Sequence, residues 1–141
     1  MASELRVDKI VPTTGVPTGG GGGIVQVKQI QHSTSVNYGT NSFTSGVNAD
    51  NSTANFSITI TPKFNTSKIL VSFTSMYDLN QGNQRVYITM FRSIGGGTAS
   101  NIVGGRGLVE LWNPDQRIQA TANAQYLDSP NTTQQITYTM Y

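Results

Sequence analysis

The residues able to do chemistry are few and scattered. The chain carries a single histidine, His32, and no cysteine. It therefore offers no disulfide, no thiolate metal site and no thiol nucleophile. One histidine with no Asp or Glu near it in sequence makes neither a metal site nor a general base with an orienting partner. His32 reads instead as a partly exposed residue at a strand end. The carboxylates beyond the N-terminal segment are Asp50, Asp78, Glu110, Asp115 and Asp128. Two carboxylates across a fold suffice for glycoside hydrolysis, but these five have local explanations. Asp115 and Asp128 stand near prolines in turns, Asp78 precedes Asn80-Gln81-Gly82, and Glu110 faces away from the apolar set of Leu108-Val109-Glu110-Leu111-Trp112. No catalytic residue is expected, and the chain reads as a non-enzyme with no cofactor or metal.

Trp112, the only tryptophan, opens the segment Trp112-Asn113-Pro114-Asp115-Gln116. An aromatic ring beside amide and carboxylate groups is the composition of a sugar-binding surface. A lone tryptophan is equally typical of a core or a subunit interface. Composition alone leaves both readings open.

The elements that would position these residues are strands. Charged residues make up 11% of the 141-residue chain, against about 25% in an average soluble domain. Asn, Gln, Ser and Thr fill the gap with more than a third of the chain. Threonine suits the exposed face of a strand, and Ser and Asn suit turns. An apolar fraction of 36% and a net charge of +2 argue against disorder. The nine cations stand singly, so no phosphate-binding patch forms and nucleic acid is not an expected partner. No run of about 18 apolar residues occurs, so no membrane span is expected. The N-terminus lacks the basic and apolar regions of a signal peptide, so the chain is expected to be made in a cytoplasm without a secretion signal.

Residues 1–18 differ from the rest. Leu5, Val7 and Ile10 alternate with Glu4, Arg6, Asp8 and Lys9, and Pro12 and Pro17 hold the path extended. Such a segment suits either a strand added to another subunit's sheet edge or a disordered terminus. The first reading makes 1–18 an anchoring arm with Leu5, Val7 and Ile10 as its plugs. Gly19, Gly20, Gly21, Gly22 and Gly23 follow as a flexible linker. No Lys-Ser/Thr pair follows them, as a phosphate-cradling loop would need.

Residues 24–141 read as one all-β domain, an antiparallel sandwich or jelly roll. Strand patterns fall at 24–31, 56–61, 69–73, 86–91, 116–126 and 135–141. In the strand at 86–91 both alternating sets are apolar or aromatic, so both faces are expected to be covered. Turn signals separate the strands at 80–83, 95–97, 113–115 and 128–131. Residues 33–55 show no pattern. The outer strand faces carry Tyr87, Phe91 and Tyr138, which are candidates for a subunit interface.

Ser3-Glu4-Leu5-Arg6-Val7-Asp8-Lys9-Ile10-Val11-Pro12, with Thr18 and the glycine run, resembles the N-terminus of a family of small virion structural proteins. These are the tail-fibre-like and head-decorating proteins of tailed phages that infect cyanobacteria and other aquatic bacteria. Phe64-Asn65-Thr66-Ser67-Lys68-Ile69-Leu70-Val71 and Tyr126-Leu127-Asp128-Ser129-Pro130-Asn131-Thr132-Thr133 are similar to segments of the matching domain. The resemblance implies a compact β-sandwich, a homotrimer, and docking to other virion proteins through the arm, with no catalytic residues. In that family the domain usually continues beyond Tyr138-Thr139-Met140-Tyr141, so completion of the sheet by a neighbouring strand is a further expectation. The alternatives are an adhesin that takes a host surface glycan on Trp112, with turns 80–83 and 95–97 gathered at the same end, and a polysaccharide hydrolase.

Overall fold

The computed structural model describes residues 26–31, 33, 56–80 and 82–141. Leu5, Val7, Ile10, the glycine linker 19–23, His32 and Asp50 lie outside the described residues. Within them the chain is all-β with antiparallel pairing throughout and no helix. The strands are β1 (Ser57–Ile60), β2 (Ile69–Leu79), β3 (Gln84–Ile88), β4 (Met90–Ile94), β5 (Ser100–Asn101), β6 (Val109–Asn113), β7 (Ile118–Asp128) and β8 (Ile136–Met140).

They form a four-stranded sheet in the order β1-β8-β4-β5 and two ribbons, β2-β7 and β3-β6. Strands β3 and β4 are one extended run interrupted at Thr89. There the chain leaves β6 and takes up β8, and Thr89 exchanges two backbone hydrogen bonds with Tyr141 at 2.8 and 2.9 Å. The alternating pattern at 84–94 thus serves two sheets without a loop between them.

Period-2 alternation sets the core. Ile58, Met90, Arg92, Ile136 and Tyr138 share the inner face of the four-stranded sheet by register. Ile69, Val71 and Tyr126 from the β2-β7 ribbon pack against Met90, Ile136 and Tyr138, which are fully or nearly fully buried. Burying each such large side chain contributes about 1.5–3 kcal/mol. The ribbon and sheet are also joined by charge. Arg92 Nη1 donates to both carboxylate oxygens of Asp128 at 2.8 and 2.9 Å, and the Tyr138 hydroxyl donates to Asp128 Oδ2 at 2.6 Å.

Strand expectations at 56–61, 69–73, 86–91, 116–126 and 135–141 correspond to β1, β2, β3 with β4, β7 and β8. Four others need correction. Residues 26–31 form no strand, and Val27 and Ile30 are exposed. Their apolar positions, 25, 27 and 30, change parity, so no single face emerges. Tyr138 is not an outer-face residue but the centre of the core, 2% exposed, because Ile69, Val71, Tyr126 and Asp128 of the β2-β7 ribbon cover that face of β8. Phe91 does point outward, yet it is 7% exposed and lies against the Tyr141 ring with centroids 4.5 Å apart. Finally, β8 is not an edge strand but is paired on both sides, so a neighbour's strand would join this sheet beyond β1 or β5, its outer strands among the described residues.

Candidate functional site

The outward face of the β3-β6 ribbon gathers what the sequence scatters. Register sets Arg85 opposite Trp112 and Tyr87 opposite Glu110, while Val86, Ile88, Leu111 and Val109 take the other parity. Arg85 Nη1 donates to Glu110 Oε1 at 2.8 Å, and its guanidinium lies over the Trp112 ring at 5.1 Å. Arg106 comes from the loop before β6. Its Nη1 is 3.6 Å from Glu110 Oε2, and its guanidinium lies over the Tyr87 ring at 5.9 Å.

The loop that carries Arg106 is held on both sides of that residue. The Ile102 amide donates to the Met90 carbonyl and the Tyr126 hydroxyl to the Ile102 carbonyl. Asn101 Oδ1 accepts from Val103 N, Gly104 N and the Thr89 hydroxyl, each at 3.0 Å. The Leu108 amide closes the loop on the Ile88 carbonyl at 2.7 Å. Gly107 has φ +87, and any Cβ there would run into that same carbonyl. Only glycine brings the backbone this close in this conformation. The loop therefore holds Arg106 beside Tyr87 and Glu110.

The electrostatics follow from two guanidiniums around one carboxylate. Partial desolvation pushes the Glu110 pKa up, but hydrogen bonds from Arg85 and Tyr87 and the charges of both arginines hold it below its usual value. Arg85 is pushed up in turn, by hydrogen bonds to Tyr87 and Glu110. The face carries one cation in excess. Trp112 is 53% exposed, which removes the reading of it as a core residue and leaves a surface aromatic.

Asp78 and Asp128 are committed elsewhere. Asp78 accepts from Arg117 Nε at 2.8 Å and again from Arg117 Nη2, and these bonds hold its carboxyl below the usual range. Asp128 is buried beneath Arg92 and Tyr138. Among the described residues no three His, Cys, Asp or Glu side chains group as metal ligands. A shallow hollow of about 530 Å3 on the β2-β7 ribbon is lined by Ser72, Phe73, Thr74, Asn123, Ala124 and Gln125, none of them titratable.

That ribbon carries a second surface feature. Leu70 and Leu127 are direct cross-strand partners on its outer face, and both are more than half exposed. Met76 lies further along the same face, 77% exposed. Among the described residues neither outer edge of the ribbon is paired.

Of the residues singled out from sequence, Tyr87 and Trp112 are brought together, and Phe91 and Tyr138 are withdrawn into the chain. Turns 82–83 and 95–96 stand at opposite ends of the 84–94 run, separated by roughly 30 Å of extended chain. They do not gather at one end. Sequence reasoning missed Arg85, Arg106 and Asn101. The available signal was Gly104-Gly105-Arg106-Gly107, a cation between glycines just before a strand. No protein family, no curated protein and no solved structure matches this chain.

Proposed function

We propose that the chain is a structural subunit of a phage particle, fibre-like or capsid-decorating, that docks through residues 1–18 and displays its β-sandwich as a homotrimer. The observation that carries this reading is the β2-β7 ribbon, 11 residues long in each strand, with Leu70 and Leu127 paired in solvent on its outer face. An exposed apolar pair on an unpaired ribbon is an assembly surface or an aggregation hazard, and a subunit of an assembly uses it as the former. The resemblance of the arm and of segments 64–71 and 126–133 supports the particle as the partner. Deleting residues 1–12 should abolish incorporation into particles while leaving a folded sandwich. Incorporation of the truncated protein at the normal copy number would overturn the reading.

A second reading, glycan binding on the particle surface, is favoured by the exposure of Trp112 among Arg85, Tyr87, Arg106 and Glu110. Hydrolysis of polysaccharide has less support. A general acid needs a carboxyl held up towards neutrality, and Glu110 and Asp78 are both held down by arginines.

A further inference from the structure

We propose that the β3-β6 face is a binding site for an acidic saccharide, in which a pyranose ring stacks on Trp112 and its carboxylate is taken by Arg106. This rests on the glycan-binding reading and adds the class of sugar.

Three observations carry it. The first is concentration. In a chain with 11% charged residues, two arginines, one carboxylate, a tyrosine and the only tryptophan share one small face. The second is imbalance. Asp78 with Arg117 and Asp128 with Arg92 are one-to-one pairs, whereas Glu110 is shared by Arg85 and Arg106. Arg85 makes the short contact, so Arg106, at 3.6 Å and 73% exposed, is the cation with capacity left for an anion. A guanidinium presents a planar fork of donors that matches a carboxylate.

The third is placement. The positive-φ glycines 104, 105 and 107, the Asn101 side chain and the Gly107–Ile88 approach fix the loop on which Arg106 stands. Preorganisation of this kind lowers the ordering cost of binding a flexible ligand. Arg85, lying over the indole, holds the ring while more than half of the residue stays open. Tyr87 and Glu110 add hydroxyl and acceptor groups for sugar hydroxyls. A second copy of the chain would bring the same cation excess to this face, which disfavours a face-to-face symmetric contact here.

The single tryptophan makes the test direct, because intrinsic tryptophan fluorescence of the full chain reports this site alone. Titration with tetragalacturonate should change the Trp112 emission saturably, while maltotetraose, neutral and of equal length, should bind at least about tenfold more weakly. Arg106→Ala should weaken tetragalacturonate by about tenfold, the size of one lost charge-assisted hydrogen bond, and leave maltotetraose unchanged. Equal response to both sugars would overturn the acidic specificity while keeping the glycan reading. Response to neither would overturn both. An emission that shifts on dilution without sugar would mean that a second copy covers the face, and this too would overturn the proposal. None of these outcomes bears on particle incorporation, which the arm deletion tests separately.

Discussion

Tyr138 and Asp128 meet across the interior, hydroxyl to carboxylate at 2.6 Å, and so join β8, an interior strand of the sheet, to the end of the β2-β7 ribbon. Arg92, opposite Tyr138 in register, closes the group by donating to both carboxylate oxygens. A buried carboxylate that accepts three hydrogen bonds from another sheet tolerates loss of a partner poorly. Arg92→Met should destabilise the fold by about 3–5 kcal/mol, because it leaves the Asp128 charge buried without its cation. Tyr138→Phe should cost about 1–3 kcal/mol. Urea denaturation of each variant measures both.

The same tyrosine contributes to the loss of stability at alkaline pH. Burial above all, and then the Asp128 hydrogen bond, push the Tyr138 pKa far above its ordinary value. The unfolded chain ionises near pH 10 while the folded chain keeps the proton, so this contribution is complete below pH 10 and is lost as pH rises beyond it. Each retained proton makes stability fall by about 1.4 kcal/mol per pH unit. Burial also raises Tyr77 and Tyr141, so Tyr138→Phe should reduce the alkaline slope without abolishing it. Unfolding free energies between pH 9 and 11.5 test this.

Asp78 and Arg117 form an ion pair of similar outline but on the surface, with side chains 40% and 61% exposed. Solvent and salt screen such pairs. Asp78→Asn should leave the urea midpoint unchanged at 0.5 M salt and shift it only slightly at low salt. A loss comparable to that of Arg92→Met would refute the difference drawn from burial.

Gly107 and Gly105 both have positive φ, but only Gly107 abuts a carbonyl. Gly105→Ala should cost about 1–2 kcal/mol, the left-handed backbone alone. Gly107→Ala should cost more and should also disturb Tyr87 and Trp112 through displacement of Arg106. Comparing the two by thermal unfolding and near-ultraviolet circular dichroism separates the terms.

Leu70 and Leu127 are solvent-exposed in the single chain. The double variant Leu70→Thr, Leu127→Thr should lower the sedimenting mass of the proposed homotrimer while leaving monomer stability within about 0.5 kcal/mol, as expected for surface substitutions. An unchanged mass would remove the ribbon face from the assembly.

Strands were legible wherever one parity was apolar and the other polar, as in β1, β7 and β8. Their partners were not, because pairing depends on contacts far apart in sequence. Tyr138 illustrates the gap. Its alternation with Ile136 and Met140 was visible, but whether that face met solvent depended on the β2-β7 ribbon packing over it. Arg92 looked like any surface cation because its partner lies 36 residues away. The aromatic-arginine face was partly legible. Trp112 invited attention by composition, and Glu110 was correctly set away from the apolar residues. Only the register of β3 with β6 brought Arg85 and Tyr87 alongside them. Asn101, holding three donors with one oxygen, left no trace beyond its residue type.

Thr89 has a consequence for how this chain tolerates change over generations. It hands the strand from one sheet to the other with no spare residue. On either side of it the parity that displays Arg85 and Tyr87 is also the parity that tucks away Phe91. Gaining or losing one residue anywhere between 85 and 91 would rotate one half against the other. Either the face of Arg85 and Tyr87 would turn inward or the core would turn out. Substitutions can accumulate along this run one at a time, but its length is a fixed count, and divergence by insertion is confined to the turns at its two ends.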